Sequence, residues 1–262
     1  MEKRLPAVEV DDEIGQLTGV INDMLDRLEK GLRQAERFAS DASHELRTPL
    51  TIMKGEIDGL LARPDLPHGI EEKLVSQQEE ISRLDRITER LLLLARFDAG
   101  AYVPARQQID FSELVKEACE DMELLTSSRD LTMEVDIHPA LHLQGDSILL
   151  RRVVLNLLDN AAKFNIPSGS LACRLEQEQG VARLTVSNTG PGIPDEEREK
   201  IFERFYRTDA ARVRAGYGLG LSLCREIVRA HGGDIRLENP PHGRLTNFIV
   251  TLPADLPSGA FV

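Results

Sequence analysis

The octet Ser43-His44-Glu45-Leu46-Arg47-Thr48-Pro49-Leu50 lies inside a long run of helical periodicity. Leu46, Leu50, Met53, Ile57 and Leu60 alternate steps of four and three, the spacing of an a/d seam rather than of one broad buried face. With Leu46 at d and Leu50 at a, His44 falls at b and Thr48 at f, both on the outside and one turn apart. This register predicts a solvent-facing His44, and a neutral imidazole in water is a competent nucleophile near neutral pH. The adjacent Glu45 can accept the proton of the ring nitrogen not under attack. Pro49 donates no backbone hydrogen bond, so the Glu45 carbonyl loses its helical partner and the helix can bend beside His44. A lone histidine is far more often an ordinary surface residue, and that plain reading suits the other five.

Working outward, Ile14, Leu17, Ile21, Met24 and Leu28 form an earlier stretch of seam. It continues through Leu32, Ala35 and Phe38, and two successive four-residue steps ending at Leu32 make a stutter that locally unwinds a supercoil. The helix is predicted to run through it. Downstream, Arg63-Pro64-Asp65-Leu66-Pro67 carries two prolines that a helix interior rejects, so a turn belongs there. Leu74, Ile81, Leu84, Ile87, Leu91 and Leu94 then restore helical spacing up to Gly100, which makes residues 40–98 an antiparallel helix hairpin. One hairpin cannot bury both seams. Two hairpins from two chains make a four-helix bundle, which argues for a homodimer.

After Gly100-Ala101-Tyr102-Val103-Pro104 the pattern changes. A helix near 111–127 precedes β-rich runs at Leu131–Ile137, Leu141–Gln144, Leu171–Gln177, Val181–Ser187, Ile235–Glu238 and Phe248–Leu252, with helices at about 147–165 and 219–231. Strands and helices in this order suit an α+β domain with one layer packed on the other.

The composition fits this division. The chain has 262 residues, 41% hydrophobic and 29% charged, the mix of a globular protein with room for two domains. Tryptophan is absent and aromatics make up 4%, so the cores are aliphatic. A net charge of −12 repels nucleic acid and anionic lipid surfaces. Cys119, Cys173 and Cys224 form no CxxC pair, so no disulfide framework or zinc site is readable and a reducing compartment is expected. No apolar run reaches the length of a membrane span, and Met1-Glu2-Lys3-Arg4 leads into no apolar signal segment.

Three further constellations carry chemistry. In Arg151-Arg152-Val153-Val154-Leu155-Asn156-Leu157-Leu158-Asp159-Asn160-Ala161-Ala162-Lys163-Phe164, residues Asn156, Asn160 and Lys163 share one helix face while Val153, Val154, Leu157 and Leu158 take the other. Amide oxygens suit a hard cation and an ammonium suits phosphate, so this stripe fits a magnesium-bound phosphate chain. By itself the stripe reads more readily as a solvated helix face, capped later by Asn165. Val186-Ser187-Asn188-Thr189-Gly190-Pro191-Gly192-Ile193-Pro194 is a strand running into a glycine turn, and Gly216-Tyr217-Gly218-Leu219-Gly220-Leu221 opens a helix. Glycines at a helix start let backbone amides approach phosphate oxygens. Neither a Walker loop nor a dinucleotide fingerprint is present.

The His44 octet resembles, residue for residue, the H-E-x-x-T-P-L phosphoacceptor motif of sensor histidine kinases. The succession of the Asn156 helix, the Asn188 turn, Ile201-Phe202-Glu203-Arg204-Phe205-Tyr206-Arg207 and the Gly216 loop is similar to the N, G1, F and G2 boxes of that family's ATP-binding domain. Asp12-Glu13-Ile14-Gly15-Gln16-Leu17 and the seam after it resemble the second helix of a HAMP signalling module. The resemblance implies a long helical hairpin forming a dimeric four-helix bundle, followed by an α/β-sandwich ATP-binding domain of the Bergerat type. Its domains are a HAMP half and signalling helix at 1–37, a phosphotransfer hairpin at 38–100, a linker at 101–105 and a catalytic domain at 106–256.

The family roles fall on His44 as phosphoacceptor, Glu45 as its base, Thr48 in phosphatase action and Arg207 on the transferring phosphoryl group. The resemblance implies ATP at Asn156, Asn160, Lys163, Phe164, Asn188, Gly190, Gly192, Ile193, Gly216, Gly218, Leu219 and Gly220, with Mg²⁺ at Asn160 and Asn156. Residues 207–217, including Arg212 and Arg214, correspond to a rather short loop over the triphosphate. The implied partners are a second copy and the receiver domain of a response regulator, without nucleic acid. The implied location is the cytoplasmic part of an inner-membrane sensor, touching membrane only through segments outside this sequence.

Most of the family carries Asp where this chain has Asn188. A neutral amide accepts adenine's exocyclic amine less strongly than a carboxylate, which predicts weaker nucleotide binding. The Asn-Thr-Gly form of the turn is similar to that of the heavy-metal-sensor branch. Two other functions fit parts of the pattern: an ATP hydrolase of the gyrase and heat-shock-chaperone group, and a kinase-inactive dimeric scaffold. The hydrolases carry a Glu base where Asn156 stands, so a bound water would be poorly activated here.

Overall fold

The computed structural model describes residues 13–63, 66–99, 102, 104–127, 130–208, 216–238 and 245–254. The chain divides into two compact units after Tyr102.

In the first unit, α1 (Glu13–Leu61) is one unbroken helix of 49 residues, so neither the stutter nor Pro49 stops it. Beside Pro49, the Thr51 hydroxyl donates to the Arg47 carbonyl at 2.9 Å, a back-bond of the kind that bends helices. Pro67 then stands immediately before α2 (His68–Asp98), where a fixed φ suits a helix start. Gln78 of α2 donates to the Asp58 carboxylate of α1, which fixes the hairpin's register. The seam residues do not share one environment. Ile57, at an a position, is 7% exposed, whereas Leu46, Met53 and Leu60, all at d, are 48%, 41% and 41% exposed. Thr48 is exposed, as its outer position requires. Ser43 and His44 lie on α1, but their side chains fall outside the described residues, as do Asp12 and the side chains of Glu13–Gln16.

The second unit contains β1 (Gln107–Asp110), α3 (Phe111–Ser127), β2 (Thr132–Ile137), β3 (His142–Gly145), α4 (Ser147–Lys163), β4 (Ser170–Glu178), β5 (Val181–Thr189), α5 (Gly220–Ala230), β6 (Asp234–Glu238) and β7 (Leu245–Pro253). Five strands form a sheet in the order β2-β4-β5-β7-β6, with β2 and β4 parallel and the other pairs antiparallel. Alternation puts Leu171, Cys173, Leu175, Ala182, Leu184, Val186, Phe248, Val250, Ile235 and Leu237 on one buried face. The apolar sides of α3, α4 and α5 cover that face. Cys119 of α3 and Cys173 of β4 meet in this core, and their shared hydrogen bond together with burial pushes the Cys173 thiol up. β1, which the sequence pattern does not announce, pairs with β3 as a separate antiparallel ribbon. Among the described residues no helix is long and apolar enough to cross a membrane.

Candidate functional site

α4 begins where Asp146 caps it, its carboxylate accepting from the amides of Ile148 and Leu149 at 3.1 Å. The same residue ties α4 to α5. His231, at the C-terminal end of α5, accepts the Asp146 amide on Nε2 at 3.0 Å and donates from Nδ1 to the Ile227 carbonyl at 2.7 Å. Both partners are single-purpose backbone groups, so they select the Nδ1-protonated neutral ring. With Val153, Val154, Leu157 and Leu158 buried below, Asn156, Asn160 and Lys163 are held half-buried on the opposite face. Lys163 also forms an ion pair with Asp159 one turn back, so its ammonium is not reserved for phosphate alone.

The glycine loop meets this stripe. A Cβ at Gly220 would stand 3.4 Å from the Asn156 amide oxygen, so the first residue of α5 lies beside the amide. Gly218, with φ +68°, packs so closely on Phe205 and Tyr206 that a Cβ would approach the Tyr206 carbonyl to 2.5 Å. The Phe205 amide donates to the Gly218 carbonyl at 2.9 Å, joining the two strands of chain that flank residues 209–215. Those residues, with Arg212 and Arg214, lie outside the described part of the chain, while Arg207 and Gly216 stand at its two edges. Below them Phe202 is buried, edge-on to Phe248 and capped by the Arg225 guanidinium at 4.1 Å. Phe205 is itself 61% exposed and adopts a left-handed φ of +61°.

Asn188, 3% exposed, closes the other side. Its amide nitrogen donates to the Thr189 carbonyl at 2.9 Å, with a longer contact of 3.5 Å to the carbonyl of Phe164, the residue that ends α4. Gly190 fits between these groups, since a Cβ there would reach the Phe164 oxygen at 2.8 Å. Gly192, at φ +74°, turns the chain toward Ile193. The folded second unit thus brings Asn156 to Gly220 and Phe164 to Asn188 and Gly190. His44, Glu45 and Thr48 belong to the other unit.

Two neighbours of Asn188 escape a reading by motif. Thr246 of β7 is paired directly with Asn188, on the same face and 6% exposed, but it precedes the run Phe248–Leu252 that marks the strand. Asn165, also buried, binds Thr189 and so belongs to the same corner.

Residues 145–256 match the family of histidine kinase-, DNA gyrase B- and HSP90-like ATPases, and residues 34–100 match the His Kinase A phospho-acceptor domain. A solved mycobacterial sensor histidine kinase, MprB, is 38% identical with a TM-score of 0.53, covering 56% of this chain and 98% of that one. The chain belongs to the two-component sensor histidine kinases. Within this family, the signal transduction histidine-protein kinase/phosphatase MprB of Mycobacterium sp. strain KMS is 40% identical over 258 residues, which is 92% of this chain and 48% of that protein. Its counterpart in Mycobacterium tuberculosis is 36% identical over 252 residues. The chain therefore spans about half the length of the curated relatives it matches. Full-length ShkA in complex with AMPPNP superposes over 83% of this chain with a TM-score of 0.73 at 26% identity.

Proposed function

We propose that this histidine kinase chain binds Mg-ATP in its second unit, phosphorylates itself on His44 and passes the phosphoryl group to an aspartate of a response-regulator receiver domain. The arrangement of Asn156, Asn160, Phe164, Asn188, Gly190 and Gly220 around one end of α4 carries this reading. Asn188 would receive the adenine, and the glycines of 216–220 would line the phosphates with backbone amides at the start of α5. Gly192, Ile193 and Leu219 would bound the same cleft.

The donor set fits magnesium. Asn156 and Asn160, both half-buried residues, offer neutral amide oxygens, and no cluster of three His, Cys, Asp or Glu side chains occurs among the described residues. That suits an ion held largely by phosphate and water. Bound there, it would offset charge on the triphosphate. Lys163 would add to this, in competition with its partner Asp159.

In the transfer, a lone pair of the neutral His44 ring attacks the γ-phosphorus while the bond to the ADP oxygen breaks and ADP leaves. Glu45 takes the proton from the other ring nitrogen, and Arg207 balances charge growing on the moving group. Thr48, exposed one turn beyond His44, would serve hydrolysis of the regulator's phosphoaspartate. The reading assigns residues 38–100 to phosphotransfer, 106–256 to catalysis, 101–105 to the linker and 1–37 to a HAMP-derived signalling helix. It makes the chain the cytoplasmic, homodimeric part of an inner-membrane sensor.

Incubation with γ-labelled ATP and magnesium tests the proposal. The wild type should acquire acid-labile, base-stable phosphate, and His44→Gln should acquire none. A variant that still carries such phosphate would show that another residue is the acceptor, and rapid phosphate release without labelling would favour the hydrolase.

A further inference from the structure

Behind Asn188 lies a polar cluster that the phosphotransfer chemistry does not use. The Thr189 hydroxyl donates to the Asn165 amide oxygen at 2.5 Å and accepts the Ser170 amide at 2.9 Å. Asn165 in turn donates to the Ser170 carbonyl at 2.9 Å and accepts the Ile166 amide at 3.0 Å. Asn165 is buried, and so is Gly169, against which the cluster closes without room for a side chain. A Cβ at Gly169 would fall 2.1 Å from the Asn165 oxygen and 2.4 Å from the Thr189 oxygen.

The cluster grips the two backbone segments that hold Asn188. The amide nitrogen of Asn188 faces the carbonyls of Thr189 and Phe164, and Thr189 and Asn165, the residue after Phe164, are the two joined by the hydroxyl. Carbonyls only accept, so while they stay in place the nitrogen is bound to them and the amide oxygen is the end left for a ligand. An oxygen presented to the base accepts adenine's exocyclic amine and opposes the carbonyl that guanine carries at the same position. We infer that Thr189, Asn165 and Gly169 form a clamp that sets base specificity by keeping the Asn188 amide from turning over. Thr189 is a positioning residue, acting through Asn188. The inference rests on the proposal that Asn188 receives the base.

Equilibrium binding of ATP and GTP to the full chain tests it. Thr189→Val keeps the shape and removes the hydroxyl. It should lower ATP affinity about tenfold, the worth of one hydrogen bond, and collapse the preference for ATP over GTP. Thr189→Ser should restore both. Gly169→Ala, which drives a methyl into the clamp from the far side, should reproduce the loss of preference, and it serves alone if Thr189→Val does not melt cooperatively. Loosening of the fold without the clamp's role would weaken both nucleotides equally. Variants that keep the wild-type ratio, or a failure of Thr189→Ser to rescue, would overturn the clamp while leaving nucleotide binding intact. A wild type that binds neither nucleotide would instead overturn the reading beneath it.

Discussion

At Asn188 an amide and a carboxylate differ by one NH2 group with its two N–H donors, and that group already faces backbone carbonyls. The amide nitrogen bonds the Thr189 carbonyl at 2.9 Å in a site 3% exposed. From sequence alone, Asn in place of Asp reads only as a weaker acceptor for adenine; the fold adds a cost to the reverse change. Asn188→Asp gives a charged oxygen where a donor stood, facing two carbonyls. A lost bond and an unsatisfied buried acceptor cost about 1–3 kcal/mol, a cost carried alike by the free and the nucleotide-bound protein. The expected result is a melting temperature lower by roughly 2–4 °C per kcal/mol, while the charged oxygen bonds the base more strongly and ATP affinity by calorimetry rises. A variant as stable as wild type would show that the side chain has another donor to turn to.

Among the elements, α4 and α5 matter most, because the stripe on one and the glycines opening the other must meet. His231, at the end of α5 opposite those glycines, joins the two helices, accepting the Asp146 amide and donating to the Ile227 carbonyl. His231→Ala strands a half-buried amide and opens a cavity, and a loss of about 2 kcal/mol follows, read as an earlier thermal transition. His231→Gln, which keeps one acceptor and one donor, should recover part of it. An unchanged melt in His231→Ala would mean water replaces the ring. The pairing was not legible in the sequence, since His231 and Asp146 stand far apart in it. The strongly periodic elements were legible: the hairpin, α3, α4 and α5 follow spacing alone. Short or polar pieces were not. Gln107-Gln108-Ile109-Asp110 offers one apolar residue, so nothing in it alternates, and its strand exists because β3 supplies a partner. Thr246, the second residue of β7, is buried but precedes the apolar run Phe248–Leu252 that marks the strand. Lys163 suggests a phosphate ligand by type, yet its i−4 neighbour Asp159 was there to be counted.

On the scale of the molecule, the hairpin leaves a problem that the proposed second copy would solve. Leu46, Met53 and Leu60 project at d from α1, and Leu84 of α2 is also exposed, so apolar surface lies open where Ile57 is already packed. With a net charge of −12 on each chain, two copies repel at long range, and screening within roughly 8 Å at physiological salt leaves the seam to decide association. In the proposed homodimer, Met53→Glu would remove two methionines from a two-fold interface and bury two like charges in their place. Each Met is worth about 1.5–3 kcal/mol, so the dimer dissociation constant should rise at least about a hundredfold, and sedimentation equilibrium should find monomers. Ile52→Glu is the matched control. Ile52 is 56% exposed but sits at c, off the seam, so its change adds the same charge to the same helix without touching the interface. Monomers from Met53→Glu beside intact dimers from Ile52→Glu would separate seam packing from bulk charge. Dimers that persist in both would place the contact elsewhere on the chain.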